Sequence, residues 1–402
     1  MKVLILDTIK PLGQSSTVHI WEFIKSLSKL GQEVHVMTIS DKIFGGVVFH
    51  SLIKKKQNIS GTFMFRLHYL MQIGKLINEL EFDILYTRNS LRGIIGVLIR
   101  LLKGPKLVLE LNGLVSEDWK LEKERNGDIN MFRNVRVKLS DWVEIFVAKK
   151  ADAVIVVAQG IKDILIKRGV DENKIFVIPN GANIDLFRPI KDSAINELRH
   201  RYSINEGDHI IIFIGNFEWY HGIEYLIRSA PLILNTFPNT KFLIVGDGPI
   251  RKELENLVKN MNLFDKIIFT GRAPYEMVPL YINMADVCVA PFTRARNERI
   301  GLSPLKIYEY LACGKPVIAS DIKGVGDLLR HSNAGIAVKP EDPVELANAI
   351  IKLLKDEELR RQMGENGRKV VVNNYSWDHT AKKTIEVFKK ILNKKGDYSS
   401  AR

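Results

Sequence analysis

One pattern, run twice, constrains this chain more than any other feature: short unbroken apolar runs alternate with segments of helical spacing. Val3–Leu6 is such a run; Val18–Leu30 carries apolar residues at helical intervals, Gly31 closes it, and Val34–Thr38 is the next strand. Further strands are expected at Ile84–Tyr86, Leu107–Leu111 and Ala153–Val157. After the turn-rich segment IPNGANIDLFRP (Ile178–Pro189) the pattern restarts. It runs through IIIFIG from Ile210, a helix from about Glu224, KFLIVG, a helix from about Ile250, then KIIFTG, VCVAP and PVIAS. Strands that are apolar throughout are buried on both faces, so helices must cover both sides of a parallel sheet. Two doubly wound α/β domains are expected, divided near residue 188. A last helix, Asp378 to about Asn393, precedes a basic tail. In open α/β sheets ligands bind at the loops that follow the strands. Two such domains are expected to face each other across a central cleft lined by those loops.

The length of 402 residues suits two domains of about 200 residues each. With 46% hydrophobic and 26% charged residues, the composition is that of a globular protein, not of a disordered or disulfide-built one. Cys288 and Cys313 form no C-x-x-C pair and read as buried, inert thiols in a reducing cytosol. The start MKVLILD lacks the features of a signal peptide, and the most apolar stretch, Gly93–Leu102, is interrupted by Arg100. A cytoplasmic protein is expected. Net charge is +13, and residues 42–150 carry 19 Lys and Arg against 11 Asp and Glu. Such a surplus fits nucleic acid, an anionic membrane face (with peripheral attachment to it), phosphorylated substrates, or a plain solvated basic surface. Nucleic acid is disfavoured, because no zinc-finger spacing, RNP motif or helix-turn-helix context accompanies the charge.

The most informative stretch is GLSPLKIYEYLACGKP, Gly301–Pro316. Lys306 and Glu309 stand three apart, on one face of a helix that Ser303-Pro304 would open, with Ser303 as hydroxyl cap. A helix start beside a cation suits a diphosphate, and a carboxylate one turn on can accept from a ribose diol. The plain alternative is a capped surface helix with an i,i+3 ion pair. In the first half, Gly13 and Gln14 precede a helix, so their amides can face an anion. Glu110 and Asn112 share a strand face at the end of KLVLEL. Either can touch a sugar, and for Glu110 a paired carboxylate at a strand end is the plain alternative.

The segments ADAVIVVAQGIKDILIKRGVDENKIFVIPNGANIDLFRP, IIFIGNFEWYHGIEYLI, FLIVGDGPIRKEL, IIFTGRAPYEMVPLYINMADVCVAP and SPLKIYEYLACGKPVIASDIKGVGDLL resemble family 4 glycosyltransferases in order and spacing. The resemblance implies the GT-B fold, with residues 1–188 on the acceptor side, the helix of 378–402 packing back on them, and 189–377 binding the nucleotide-sugar. It also implies a retaining enzyme that needs neither metal nor cofactor. Such an enzyme moves a hexose from a UDP- or GDP-sugar to a glycan or lipid-linked acceptor in cell-surface polysaccharide or glycoconjugate synthesis. Glu309 matches the second glutamate of the family's E-x7-E motif, which holds the ribose; the first falls on Gly301. The diphosphate-cradling amides fall near Pro304, which has no N–H, and Leu305. The family's Arg and Lys align with Asn216 and His221, so Lys306 and Arg272 are candidates to restore positive charge, and His221 to donate if protonated. Ala273 is implied to read the nucleobase through its backbone, and Asn112 stands where many relatives keep a histidine.

Other chemistries lack their signatures. No Asp-x-Asp occurs, the nine histidines form no H-x-x-H or H-E-x-x-H, and neither a G-x-S-x-G elbow nor a Walker A sequence is present. The alternatives left are a sugar-nucleotide epimerase of the same fold and a non-catalytic sugar-nucleotide or glycan-binding relative.

Overall fold

The computed structural model describes residues 1–9, 15–38, 46–51, 71, 73–102, 104–126, 131–191 and 193–393. The chain divides into two compact units, Met1–Pro179 with Trp377–Arg402, and Asn180–Ser376. The division falls at Pro179, not near residue 188, because the turn-rich segment is built into the second unit. Phe187 is fully buried in that unit's core, and the Arg368 guanidinium donates to the carbonyls of Phe187 and Ile184 at 2.6 and 3.1 Å. Ala182 pairs with Ser376, and its N–H donates to the Tyr375 carbonyl at 2.8 Å.

The first unit contains seven parallel strands: β1 Lys2–Ile9, β2 Glu33–Thr38, β3 Val47–Ser51, β4 Ile84–Thr87, β5 Lys106–Leu111, β6 Ala153–Val156 and β7 Ile175–Val177. Their order is β3-β2-β1-β4-β5-β6-β7. The helices Ser15–Lys29 and Trp377–Asn393 pack on each other, tied by a Lys29–Asp378 ion pair of 2.7 Å. Phe388 of the last helix meets Tyr86 of β4 edge-on, with ring centroids 6.1 Å apart.

The second unit contains β8 His209–Ile214, β9 Thr240–Val245, β10 Ile267–Gly271, β11 Val287–Ala290, β12 Val317–Ser320 and β13 Gly335–Val338. All are parallel, in the order β10-β9-β8-β11-β12-β13. The alternation of side chains along β8 shows why its run is unbroken. Ile210, Ile212 and Ile214 enter one hydrophobic core, while Ile211 and Phe213 enter another on the opposite face. Each such side chain contributes about 1.5–3 kcal/mol by leaving water. A polar residue on either face would be stranded.

Both sheets reverse direction at one point, between β1 and β4 and between β8 and β11. Loops leaving the carboxyl ends of those strands form the crevice where doubly wound folds bind ligands. In the second unit the two loops touch at Gly222, which opens the helix Ile223–Thr236 with φ of 66°. A β-carbon there would lie 1.8 Å from the Pro291 carbonyl oxygen, so only glycine fits.

Candidate functional site

At the reversal point of the second sheet the helix Leu305–Ala312 carries Lys306 in its first turn. The amine lies 3.9 Å from the centroid of Phe213, the last-but-one residue of β8, and 5.4 Å from that of Phe292. Nζ is buried and has no hydrogen-bond partner among the described residues. Burial brings this amine down to about 7, against the pull of the Glu309 carboxylate. Glu309 stands one turn further along the same helix and is half-buried.

His221 ends the short turn Trp219–His221 and joins the same cluster, its ring 5.8 Å from that of Phe292. Nδ1 lies 2.6 Å from the Asn216 carbonyl oxygen, so it carries the ring proton and donates it there. Nε2 is left as an acceptor. Burial pushes the imidazole well below its usual range, and the charges of Lys306 and Arg296 add to this. His221 is therefore neutral around pH 7 and does not replace a family cation. Lys306 can carry charge toward an anion, and Arg296 stands nearby over the Tyr220 ring.

Ser303 departs from its expected role. The residue capping the helix is Pro304, and no side chain caps it. The Ser303 hydroxyl instead accepts the Asn180 N–H at 2.8 Å and lies 3.1 Å from the Tyr308 hydroxyl, while its carbonyl accepts from Asn180 Nδ2 at 2.7 Å. It fastens the first residue of the unit to the helix start. No side-chain cap occupies the first N–H groups of this helix, and anions are favoured at a helix N-terminus. Gly301, in place of the motif's first glutamate, has φ of 71° and ψ of 175°, a conformation open essentially only to glycine. Asn216 is exposed after β8, while exposed Arg272 and half-buried Ala273 stand on the loop after β10, two strands away. Lys306, His221 and Asn216 thus come together, and Arg272 and Ala273 stand apart from them.

In the first unit Gly13 and Gln14 lie outside the described residues. Glu110 is almost fully buried at the end of β5. One carboxylate oxygen accepts from the Tyr86 hydroxyl; the other faces Asn112 Nδ2 at 2.8 Å, His19 Nε2 at 3.1 Å and Arg88 Nε at 3.2 Å. Burial opposes its charge, but the Arg88 guanidinium, His19 and the Tyr86 hydroxyl outweigh it and hold the carboxyl far below the usual range. With its oxygens occupied, Glu110 fixes the Asn112 amide, whose Oδ1 is buried without a hydrogen-bond partner among the described residues. Sequence reasoning missed His19, Arg88 and Tyr86. His19 lies on the helix Ser15–Lys29, and its Nδ1 is 3.3 Å from Arg88 Nη2. Only a map of which strand ends are neighbours brings these residues to one carboxylate. Both cysteines are buried and unlinked. Among the described residues no group of three or more His, Cys, Asp or Glu is placed to hold a metal ion.

Comparison with known proteins agrees with this architecture. The Anabaena protein HepE in complex with UDP and glucose superposes with a TM-score of 0.72, at 20% identity, over 97% of this chain and 99% of its own. That shared fold is the GT-B fold. An alpha-D-kanosaminyltransferase of Streptomyces kanamyceticus is 28% identical over 65% of this chain, which spans just under two thirds, 66%, of that relative's length. An Escherichia coli UDP-Gal:alpha-D-GlcNAc-diphosphoundecaprenol alpha-1,3-galactosyltransferase is 29% identical over 76% of this chain and 75% of its own. Residues 16–186 match the model described as Glycosyltransferase Family 4, and residues 194–370 the one described as Glycosyl transferases group 1. The two models together span most of the chain, and it belongs to the glycosyltransferases that they describe.

Proposed function

We propose that this chain is a retaining, metal-independent hexosyltransferase that moves a hexose from a UDP- or GDP-sugar to a glycan or lipid-linked acceptor. The observation that carries the reading is the buried, partnerless Lys306 amine beside a helix start at the reversal point of the second sheet. An unpaired amine in that position is costly to the fold and suited to a ligand that brings negative charge. When the glycosidic bond to the nucleotide breaks, charge grows on the departing diphosphate. Lys306 and the Leu305 amide would stabilise it, and preorganised donors of this kind give large rate effects. Glu309 would hold the ribose, and His221 Nε2 and Asn112 Oδ1 are acceptors suited to sugar hydroxyls.

Support for the donor class comes from the HepE complex with UDP and glucose, and for a lipid-linked acceptor from the activity by which the E. coli relative is named. Action on a lipid-linked acceptor would place the chain on the cytoplasmic side of an anionic membrane, as a peripheral protein. No helix among the described residues is long and apolar enough to cross one. The test is a panel of UDP-, GDP-, ADP- and TDP-sugars assayed for nucleotide release with and without polyprenyl-diphosphate-linked acceptors. Release from one UDP- or GDP-sugar, raised by acceptor, is the expected result. Binding without release, or epimerisation of the donor, would overturn the transferase reading.

A further inference from the structure

We propose that the outward faces of the helices Ser90–Leu101 and Met131–Lys150 form the surface by which this chain docks on an anionic lipid bilayer. The proposal deepens the membrane-side reading above and rests on it, but depends on no step of sugar transfer. A helix packed on a sheet needs one apolar face, and Met131–Lys150 has two. Val143, Val147 and Ala148 are buried. Val135, Leu139 and Trp142, spaced four and then three apart, form a second stripe and are 62%, 60% and 61% exposed. Phe146, one turn on, stacks on Trp142 with 5.4 Å between ring centroids.

The neighbouring helix repeats the arrangement. Gly93, Gly96 and Val97 of Ser90–Leu101 face inward. Leu91, Leu98, Leu101 and the cap residue Leu102 stand exposed, Leu102 by 84%. Seven of the fourteen large apolar side chains exposed among the described residues are on these two helices and that cap. One helix follows β4 and the other precedes β6, so both crossovers run the same way along the sheet and cover the same face of it. They meet where Gly93 lies against Val147. The two outward stripes lie on neighbouring helices over one face of the sheet, and exposed apolar surface of this extent marks a partner or a membrane.

Charge selects the occupant. Arg136, Lys138, Lys149 and Lys150 are exposed around the stripe of Met131–Lys150. Of the acids of that helix, Asp141 is half-buried and paired with Arg168, and Glu144 is 2% exposed. The exposed charge along this helix is positive, and Asp118 on the helix Val115–Asn126 packed against it is an exposed acid nearby. A bilayer with anionic headgroups takes the cations at its phosphates and the leucines and Trp142 at its interface.

The experiment is sedimentation of the full chain with phosphatidylcholine vesicles, with and without phosphatidylglycerol, for the wild type and three variants. The wild type should partition onto the anionic vesicles and be released by salt. Leu139→Glu with Trp142→Glu should lower partition at least about tenfold. Lys138→Glu with Lys149→Glu should lower it about fivefold for each cation lost. Leu232→Glu, an exposed position of the second unit, should change nothing. Melting curves of both double variants should match the wild type, since these side chains are exposed. Wild-type partition of the Leu139→Glu/Trp142→Glu variant would overturn this surface and leave the membrane reading standing. Failure of the wild type to bind would overturn both, with the donor panel unaffected. A wild-type dimer dispersed by that variant, with no vesicle binding, would make the patch a self-association face and also overturn the proposal.

Discussion

Replacing Lys306 with methionine keeps the length of the side chain and removes the amine, which separates what the amine costs from what it does. In the folded chain the amine titrates at about 7, whereas a free lysine does so at about 10.4. A gap of that size corresponds to roughly 3–5 kcal/mol of preference against the charged form when folded. Below pH 7 the group is charged in both states, so the full cost falls on the native state. Between 7 and about 10 only the unfolded chain holds the proton, and stability rises with pH; above that range the cost is gone. Lys306→Met should therefore be more stable than the wild type at pH 7, by a few kcal/mol, with the gap closing as pH rises. Its kcat should fall by about 10²–10³-fold, the loss expected for one preorganised donor. Denaturant titrations at several pH values beside donor kinetics measure both. A Lys306→Met variant no more stable than the wild type, or a gap independent of pH, would refute the buried, partnerless amine. Wild-type kcat would refute its use in transfer.

Three further outcomes follow from the same unit. Glu309→Ala should raise donor KM with kcat nearly unchanged, because a ribose grip acts equally before and during bond breaking; a kcat loss at constant KM would contradict it. Ser303→Ala strands the Asn180 N–H and should lower stability by about 1–3 kcal/mol in thermal melts, while donor KM holds. A raised KM with an unchanged melt would restore a ligand role to Ser303. Activity should persist in excess chelator, and loss restored by magnesium or manganese would end the metal-free mechanism.

The central strands were legible because burial on both faces leaves an unbroken apolar run. β1, β2, β4, β5, β6 and β8 to β12 all fall on segments read that way. Strands β3, β7 and β13 were not read, and all three lie at sheet edges. Val177 of β7 is 37% exposed and Val48 of β3 is 43% exposed, so neither segment needs the continuous apolarity that signals a strand. At the site, Lys306 and Glu309 were visible because helical spacing is local. The state of His221 was not, since it depends on a carbonyl at Asn216 and a charge at Lys306 that only the folded chain brings near. Ser303 shows the reverse error: its sequence context reads as a cap, and a distant residue, Asn180, has claimed its hydroxyl.

The pairing of Ala182 with Ser376 has a consequence for how such a chain can be taken apart and recombined. The second unit begins and ends at neighbouring points. The first unit closes the corresponding gap itself, where Thr380 Oγ1 donates to the Pro179 carbonyl at 3.0 Å. Residues 180–376 are thus a cassette held at two adjacent cuts. Exchange of that one contiguous coding segment with a relative's would swap the whole second unit without opening a strand in either sheet. A short linker from Pro179 to Trp377 would leave the other half with its seven strands and its last helix intact.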